Sequence, residues 1–153
     1  MRAHLRAAAE GPLASIPGAN RFIMERHLAA LQALIGLPVR VRGHTDLTIE
    51  ARKFSGNAQR RRRRCLLFHG TFLLHLDLDL VEHCLAMPSQ EPDYRGHRRH
   101  RDFVANLGVG ATAVKTALRQ AWGADEVLAA DLGPRVERLA EERYRSAEWN
   151  QRF

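Results

Sequence analysis

A chain of 153 residues that is 45% hydrophobic can bury one core and has no room for two full domains. Its formal net charge of +7 invites a polyanion, but no aromatics alternate with its arginines as base stacking would need, so specific nucleic-acid recognition is not expected. Two cysteines without repeated spacing, Cys65 and Cys84, argue against a disulfide scaffold or a zinc site and fit a reducing, cytoplasmic setting. No apolar run approaches the ~18 residues that cross a bilayer, and the opening lacks the apolar core of a secretion signal.

In chain order, residues 1–15 are expected to be a disordered N-terminus. Asn20 is expected to cap a helix that carries Ile23, His27, Leu31, Leu34 and Ile35 on one side and stops at Gly36 and Pro38. Val39 and Val41 alternate with Arg40 and Arg42, and Leu47 and Ile49 with Thr48 and Glu50, which predicts two strands. A tight turn at Glu50-Ala51-Arg52 leads to a third strand opened by Lys53, and alanine at position 51 is expected to strain that turn if the position needs positive φ. The segment from Phe54 to Leu76 reads as a hairpin with the five arginines at 60–64 as a solvated tip.

Asp77 or Asp79 is expected to cap a short helix through Leu80, Val81 and Leu85. Residues 86–101, rich in proline, arginine and histidine, read as an irregular connection whose histidines lack partners for a metal site. A helix over residues 113–122 ends at Gly123, a short strand is expected at residues 126–130, and a last helix begins near Pro134 with Val136, Leu139 and Ala140 on its apolar side. These elements predict an α/β (α+β) fold, a mixed and largely antiparallel sheet flanked by helices.

Of the 24 cationic residues only Lys53 and Lys115 are lysines. Where arginine serves every other positive position, a retained lysine points to a compact ammonium that turns three donors onto carbonyl or phosphate oxygens in a tight pocket, which a guanidinium cannot enter. Ser55, Gly56 and Ala58, all small, follow Lys53 and let a backbone pass close to a ligand; Gly56 alone is equally consistent with a β-bulge. Downstream, Leu66-Leu67-Phe68 runs into His69-Gly70-Thr71 before the apolar pattern resumes.

Thr45-Asp46-Leu47, Lys53-Phe54-Ser55-Gly56-Asn57-Ala58-Gln59-Arg60-Arg61 and His69-Gly70-Thr71-Phe72-Leu73-Leu74, supported by Met87-Pro88-Ser89, Pro92-Asp93-Tyr94-Arg95 and Tyr144-Arg145-Ser146-Ala147-Glu148-Trp149-Asn150, resemble the lipoate-protein ligase family, in the wider group of biotin-protein ligases and octanoyltransferases. The resemblance implies that residues 16–153 are a partial catalytic domain with a small helical C-terminal portion from about residue 100. It also implies that a family segment bearing an arginine-rich, triple-glycine motif belongs ahead of Ile16. On this expectation the chain needs a separate N-terminal fragment or self-association to cover exposed sheet.

The resemblance further implies ATP-dependent activation of lipoate or octanoate to an acyl-adenylate, then transfer to a lysine of a lipoyl carrier domain of a 2-oxoacid dehydrogenase or glycine-cleavage protein. Lys53 matches the family's essential lysine. Asp46 matches an acidic position that holds Mg²⁺ or orients the incoming amine, although Thr45 stands where many relatives have asparagine. Ser55, Gly56, Asn57 and Ala58 would line the adenylate, with His69, Gly70 and Thr71 as the neighbouring wall. Two other readings stay open: ATP-independent octanoyl transfer through a cysteine thioester, for which residues 36–44 supply no thiol, and a non-catalytic, partner-dependent remnant.

Overall fold

The computed structural model describes residues 2–6, 10–63, 65–127 and 129–152. Ser15, not Asn20, caps helix α1 (Ile16–Ile35): its hydroxyl accepts from the Gly18 amide at 3.1 Å, and Pro17 sits in the first turn, where its missing N–H is no loss. Asn20 lies one turn in and accepts from Gln59 Nε2 at 2.6 Å. Gly36 ends the helix in the left-handed region, φ 67°, donating to Gln32 O.

Strands β2 (Val39–Arg42), β3 (Asp46–Ile49), β4 (Arg52–Arg61) and β5 (Cys65–Phe72) form consecutive antiparallel pairs, and β1 (Arg2–Arg6) adds to the free side of β5, giving the order β1-β5-β4-β3-β2. The expectation of a disordered start is thereby corrected for Arg2–Arg6. It is corrected also for residues 13–15, whose carbonyls all accept from the Arg61 guanidinium. Met1 and residues 7–9 lie outside the described residues, as does Arg64 of the arginine run. Arg61 is therefore no solvated tip residue; Arg60, Arg62 and Arg63 are exposed, and the hairpin closes through Arg62 N to Cys65 O at 2.9 Å.

Helix α1 and helix α4 (Ala111–Trp122) cover one face of the sheet. Ile23, Met24 and Leu31 from α1, Val114 and Leu118 from α4, and Leu47, Phe54, Leu66 and Phe68 from the strands make the core, each large side chain contributing about 1.5–3 kcal/mol by leaving water. Helix α2 (Leu78–Cys84) starts at Asp77, whose carboxylate accepts from the Asp79 and Leu80 amides. Residues 86–101 are more ordered than expected: they contain a 3₁₀ turn (Asp93–Arg95) and lead into helix α3 (His100–Phe103). Residues 126, 127, 129 and 130 form no strand, and Leu128 lies outside the described residues.

Helix α5 (Gly133–Leu139), a π-helical turn (Ala140–Tyr144) and helix α6 (Ala147–Asn150) pack chiefly on one another. The expected apolar side of α5 is left open, with Val136 and Leu139 exposed. In the β3–β4 turn the left-handed residue is Glu50, φ 54°, so Ala51 bears no such strain; Arg98 Nη2 donates to Ala51 O at 2.9 Å and pins the turn. Among the described residues no helix is long and apolar enough to cross a membrane.

His27 is fully buried between Phe68 and Trp122, ring centroids 6.0 and 5.8 Å away, and neither ring nitrogen has a partner. Burial drives its pKa down to about 4. Between pH 6.5 and pH 4 the unfolded chain binds a proton at this site that the folded chain does not, so stability falls as pH falls, by about 3 kcal/mol over that window. Urea unfolding of the wild type and His27→Leu at pH 7 and pH 4 should show that share of the acid sensitivity missing from the variant; equal losses in both would contradict it.

Candidate functional site

Side chains alternate along a strand, so Lys53 should share a face with Ser55 and Asn57. The ladder breaks that parity: Leu47 pairs with Ser55 but the next residue, Thr48, pairs with Lys53, leaving Phe54 as an extra residue in β4. Both Phe54 and Ser55 are buried, as expected when a bulge turns two successive side chains toward one side. Lys53 is thereby re-aimed to the face that carries Asp46 and Gly56, opposite α1 and α4.

There its ammonium meets Asp46 Oδ1 at 2.8 Å, the two side chains being 29% and 16% exposed. Asp46 Oδ2 accepts from the Tyr94 hydroxyl at 2.7 Å. A Cβ on Gly56 would stand 3.1 Å from Lys53 Nζ and 3.7 Å from Asp46 Oδ1, so the bare glycine leaves room directly beside the ion pair. Burial and the Asp46 carboxylate raise the Tyr94 pKa, with Arg98 and Arg42 opposing from nearby; the phenol stays protonated and remains the donor. The ion pair thus lies among two further guanidinium groups, a surrounding that favours anionic ligands.

The other residues singled out in the sequence divide by face. Ala58, His69 and Thr71 are exposed and belong with Gly56 on the open side, since Gly56 pairs with Thr71 and Ala58 with His69. Ser55, Asn57 and Gly70 point to the helix-covered side and do not reach the Lys53 ammonium's face. Asn57 Nδ2 donates to Thr45 O at 2.7 Å and to Ser55 Oγ at 3.1 Å, while Thr45 Oγ1 donates to Asn57 O at 2.7 Å. These bonds lash the start of β3 to the middle of β4, and so position Asp46. A Cβ on Gly70 would fall 2.6 Å from Asn57 Cγ and 2.7 Å from Gly56 O; glycine there admits the Asn57 side chain.

Sequence reasoning missed Tyr94 as a partner of Asp46 and treated its surroundings as an irregular connection. Arg95, 4% exposed, organises that stretch: Nε donates to Arg98 O at 2.9 Å and pairs with Glu91 at 3.3 Å, and its guanidinium lies 4.7 Å over the Phe103 ring. Tyr94 packs on Phe103 at 5.4 Å. Beyond Phe103, Ala105 N donates to Lys53 O at 2.9 Å and Leu107 N to Leu73 O at 2.9 Å. The available signal was the run Pro92-Asp93-Tyr94-Arg95, which names the residues without saying that the hydroxyl returns to β3.

Both Asp46 oxygens are engaged, Oδ1 by Lys53 and Oδ2 by Tyr94, and among the described residues no three His, Cys, Asp or Glu side chains converge; Mg²⁺ held by one carboxylate and nucleotide phosphates needs no such cluster, and Asp46 would be its protein ligand here. A cavity of about 810 Å³ opens between the first half of α1 and the β2–β3 turn, lined by Met24, Val41, Thr45 and Asn57 among others; neither Lys53 nor Asp46 reaches it.

The family described as lipoyl protein ligase A/B catalytic domain matches over residues 13–122. Among curated relatives, lipoate–protein ligase 1 of Staphylococcus aureus is 29% identical over 132 residues, covering 79% of this chain and 40% of that protein. The octanoyltransferase LipM of Kyrpidia tusciae is 34% identical over 122 residues, covering 70% and 43%. The match thus spans about two-fifths of these relatives' length. Among solved structures, lipoate-protein ligase A bound with ATP superimposes with a TM-score of 0.76 at 22% identity, over 97% of this chain and 63% of that one. A bipartite lipoate protein ligase of Thermoplasma acidophilum, studied with its E2 lipoyl domain, gives 0.75 at 22% identity over 97% and 62%. At that identity the two structures speak for the fold alone.

The two glycines of the site should respond in opposite ways to a methyl group. Gly70→Ala meets backbone and a fixed amide and should lower stability by about 1–3 kcal/mol. Gly56→Ala meets the end of a flexible lysine and should leave the melting temperature nearly unchanged while displacing the ammonium. Thermal melts of both variants check this, and equal destabilisation would contradict the face assignment.

Proposed function

The chain belongs to the lipoyl protein ligase A/B catalytic domain family, and from that premise we propose that it joins a carboxylic acid, lipoate or octanoate, to ATP and passes the acyl group to a lysine of a lipoyl carrier domain. In the first step a carboxylate oxygen attacks the α-phosphorus and pyrophosphate leaves, forming the acyl-adenylate. In the second the carrier amine attacks the acyl carbon, AMP leaves and the amine gives up a proton. Lys53 is the group that carries this reading. Its ammonium, re-aimed by the bulge to the open face beside Gly56, can donate at once to the carboxylate and the α-phosphate, drawing two anions together and stabilising the charge that develops on both.

Asp46 orients that ammonium through one oxygen. Ala58, His69 and Thr71 extend the same face and would border the adenylate, while Ser55, Asn57 and Gly70 hold the frame behind it. No step is assigned to a metal ion.

The 34% identity to an octanoyltransferase favours a second reading, transfer of an already activated octanoyl group through a cysteine. The chain's thiols argue against it. Cys65 opens β5 beside the far end of β4, eight positions along the strand from Lys53, roughly 25 Å at the usual rise, and Cys84 ends α2.

Lys53→Arg and Lys115→Arg both conserve charge, and Lys115 is exposed on α4. Lys53→Arg should weaken binding of a non-hydrolysable acyl-adenylate, and lower ATP-dependent pyrophosphate release with lipoate or octanoate, by on the order of a hundredfold, with Lys115→Arg near wild type. Equal behaviour of the two variants would remove Lys53 from the mechanism. Octanoyl transfer from a carrier thioester without ATP would select the second reading.

A further inference from the structure

The stretch from Glu91 to Ala105 runs over the open face of the sheet as a strap, and both of its ends bear on Lys53. At one end Ala105 N donates to Lys53 O at 2.9 Å, beside the parallel bridge between Lys53 and Val104. At the other the Tyr94 hydroxyl reaches Asp46 Oδ2 at 2.7 Å, and Asp46 Oδ1 holds Lys53 Nζ at 2.8 Å. The backbone and the ammonium of one residue are thus tied, by different routes, to the same piece of chain. The strap itself is held rigidly. Phe103 is buried, with the guanidinium groups of Arg95 and Arg98 at 4.7 and 5.4 Å from its ring. Arg98 Nη2 donates both to Tyr94 O and to Ala51 O, each at 2.9 Å, which fastens the strap to the β3–β4 turn.

An aspartate carboxylate turns easily about its last torsion, and a lysine ammonium on four methylenes follows whichever oxygen it finds. A single donor on the second oxygen removes that freedom. We propose that Tyr94 is the positioning residue of this site: by holding Asp46 Oδ2 it presents Oδ1 to Lys53 in one orientation, so that the reach of the ammonium depends on the strap being seated. The phenol touches no substrate and acts through Asp46. The proposal rests on Lys53 being the group that meets the acyl-adenylate, but the contact it describes is testable without any turnover.

The chain has two lysines, so acylation by a small amine-reactive reagent, read by mass spectrometry, reports Lys53 against Lys115 as an internal reference. Tyr94→Phe keeps the ring that packs on Phe103 and deletes only the hydroxyl. The Lys53 to Lys115 labelling ratio should rise about tenfold, the scale of losing one hydrogen bond to a charged group, with the melting temperature lowered by no more than a few degrees. Asp46→Asn should raise it comparably, and Tyr94→Phe in the Asp46→Asn background should add little, because both act through one carboxylate. An unchanged ratio in Tyr94→Phe overturns the proposal, and so does a full additional rise in the Asp46→Asn background, which would mean that the strap only shields the lysine. Where turnover is measured, Tyr94→Phe should lower kcat for adenylate formation with KM for ATP held within about twofold. Loss of activity in Lys53→Arg without any labelling coupling would leave the ligase reading standing and sink this one. Labelling coupling with no effect of Lys53→Arg would do the reverse.

Discussion

A strand with strict alternation would place Lys53 with Ser55 and Asn57, under α1 and against the core, where an ammonium has no water and no partner. The additional residue in β4 opposite the Leu47–Thr48 step prevents this. It lets Phe54 and Ser55 both enter the buried side while the lysine turns the other way, onto Asp46 and past Gly56. Everything chemical about the sheet depends on that irregularity: without it the positive group, the carboxylate and the bare glycine would not share a face. A bulge next to a reactive side chain is a common way for a sheet to aim one group without bending the rest.

The two faces then divide the labour. The helix-covered face holds apolar side chains and a small polar lattice of Thr45, Ser55 and Asn57, joined by three hydrogen bonds that leave Asn57 Oδ1 without a partner. On the open face the Asp46 carboxylate meets Lys53, with Arg42 and Arg98 acting on the neighbouring Tyr94, a surrounding that a ligand with several negative oxygens would suit. The overall charge of +7 is thus more than a matter of solubility, although the exposed hairpin arginines contribute to it without touching this site.

Much of the molecule could be read from the residues. The strands at 39–42 and 46–49, the glycine that stops α1, an aspartate cap at 77 or 79 and the isolated lysine were all visible, because each depends on a few neighbouring positions, although Val41 is exposed and Thr48 buried against the expected alternation. Misreadings came where partners are distant in sequence. Ser15 displaced Asn20 as the cap because Asn20 is engaged by Gln59; Arg61 looked like one more solvated arginine but gathers the carbonyls of residues 13–15. The left-handed turn residue proved to be Glu50. Of the site, the residue types were legible and their sides were not, since one inserted residue reverses the parity on which any assignment of faces relies.

The Tyr94 to Asp46 bond spans 48 residues, and the Ala105 to Lys53 bond closes a loop of similar length. Loops of that size are costly to close and are closed only once shorter-range structure is in place. The β4–β5 hairpin is local by comparison and α1 is complete within its own span, so these form before the strap closes over the lysine, whereas the β1–β5 pairing, from Arg2 to His69, reaches as far along the chain as the strap does. The strap is thus a long-range addition to a frame of local elements, and secondary structure in that frame is not by itself a measure of whether the lysine is held for a ligand.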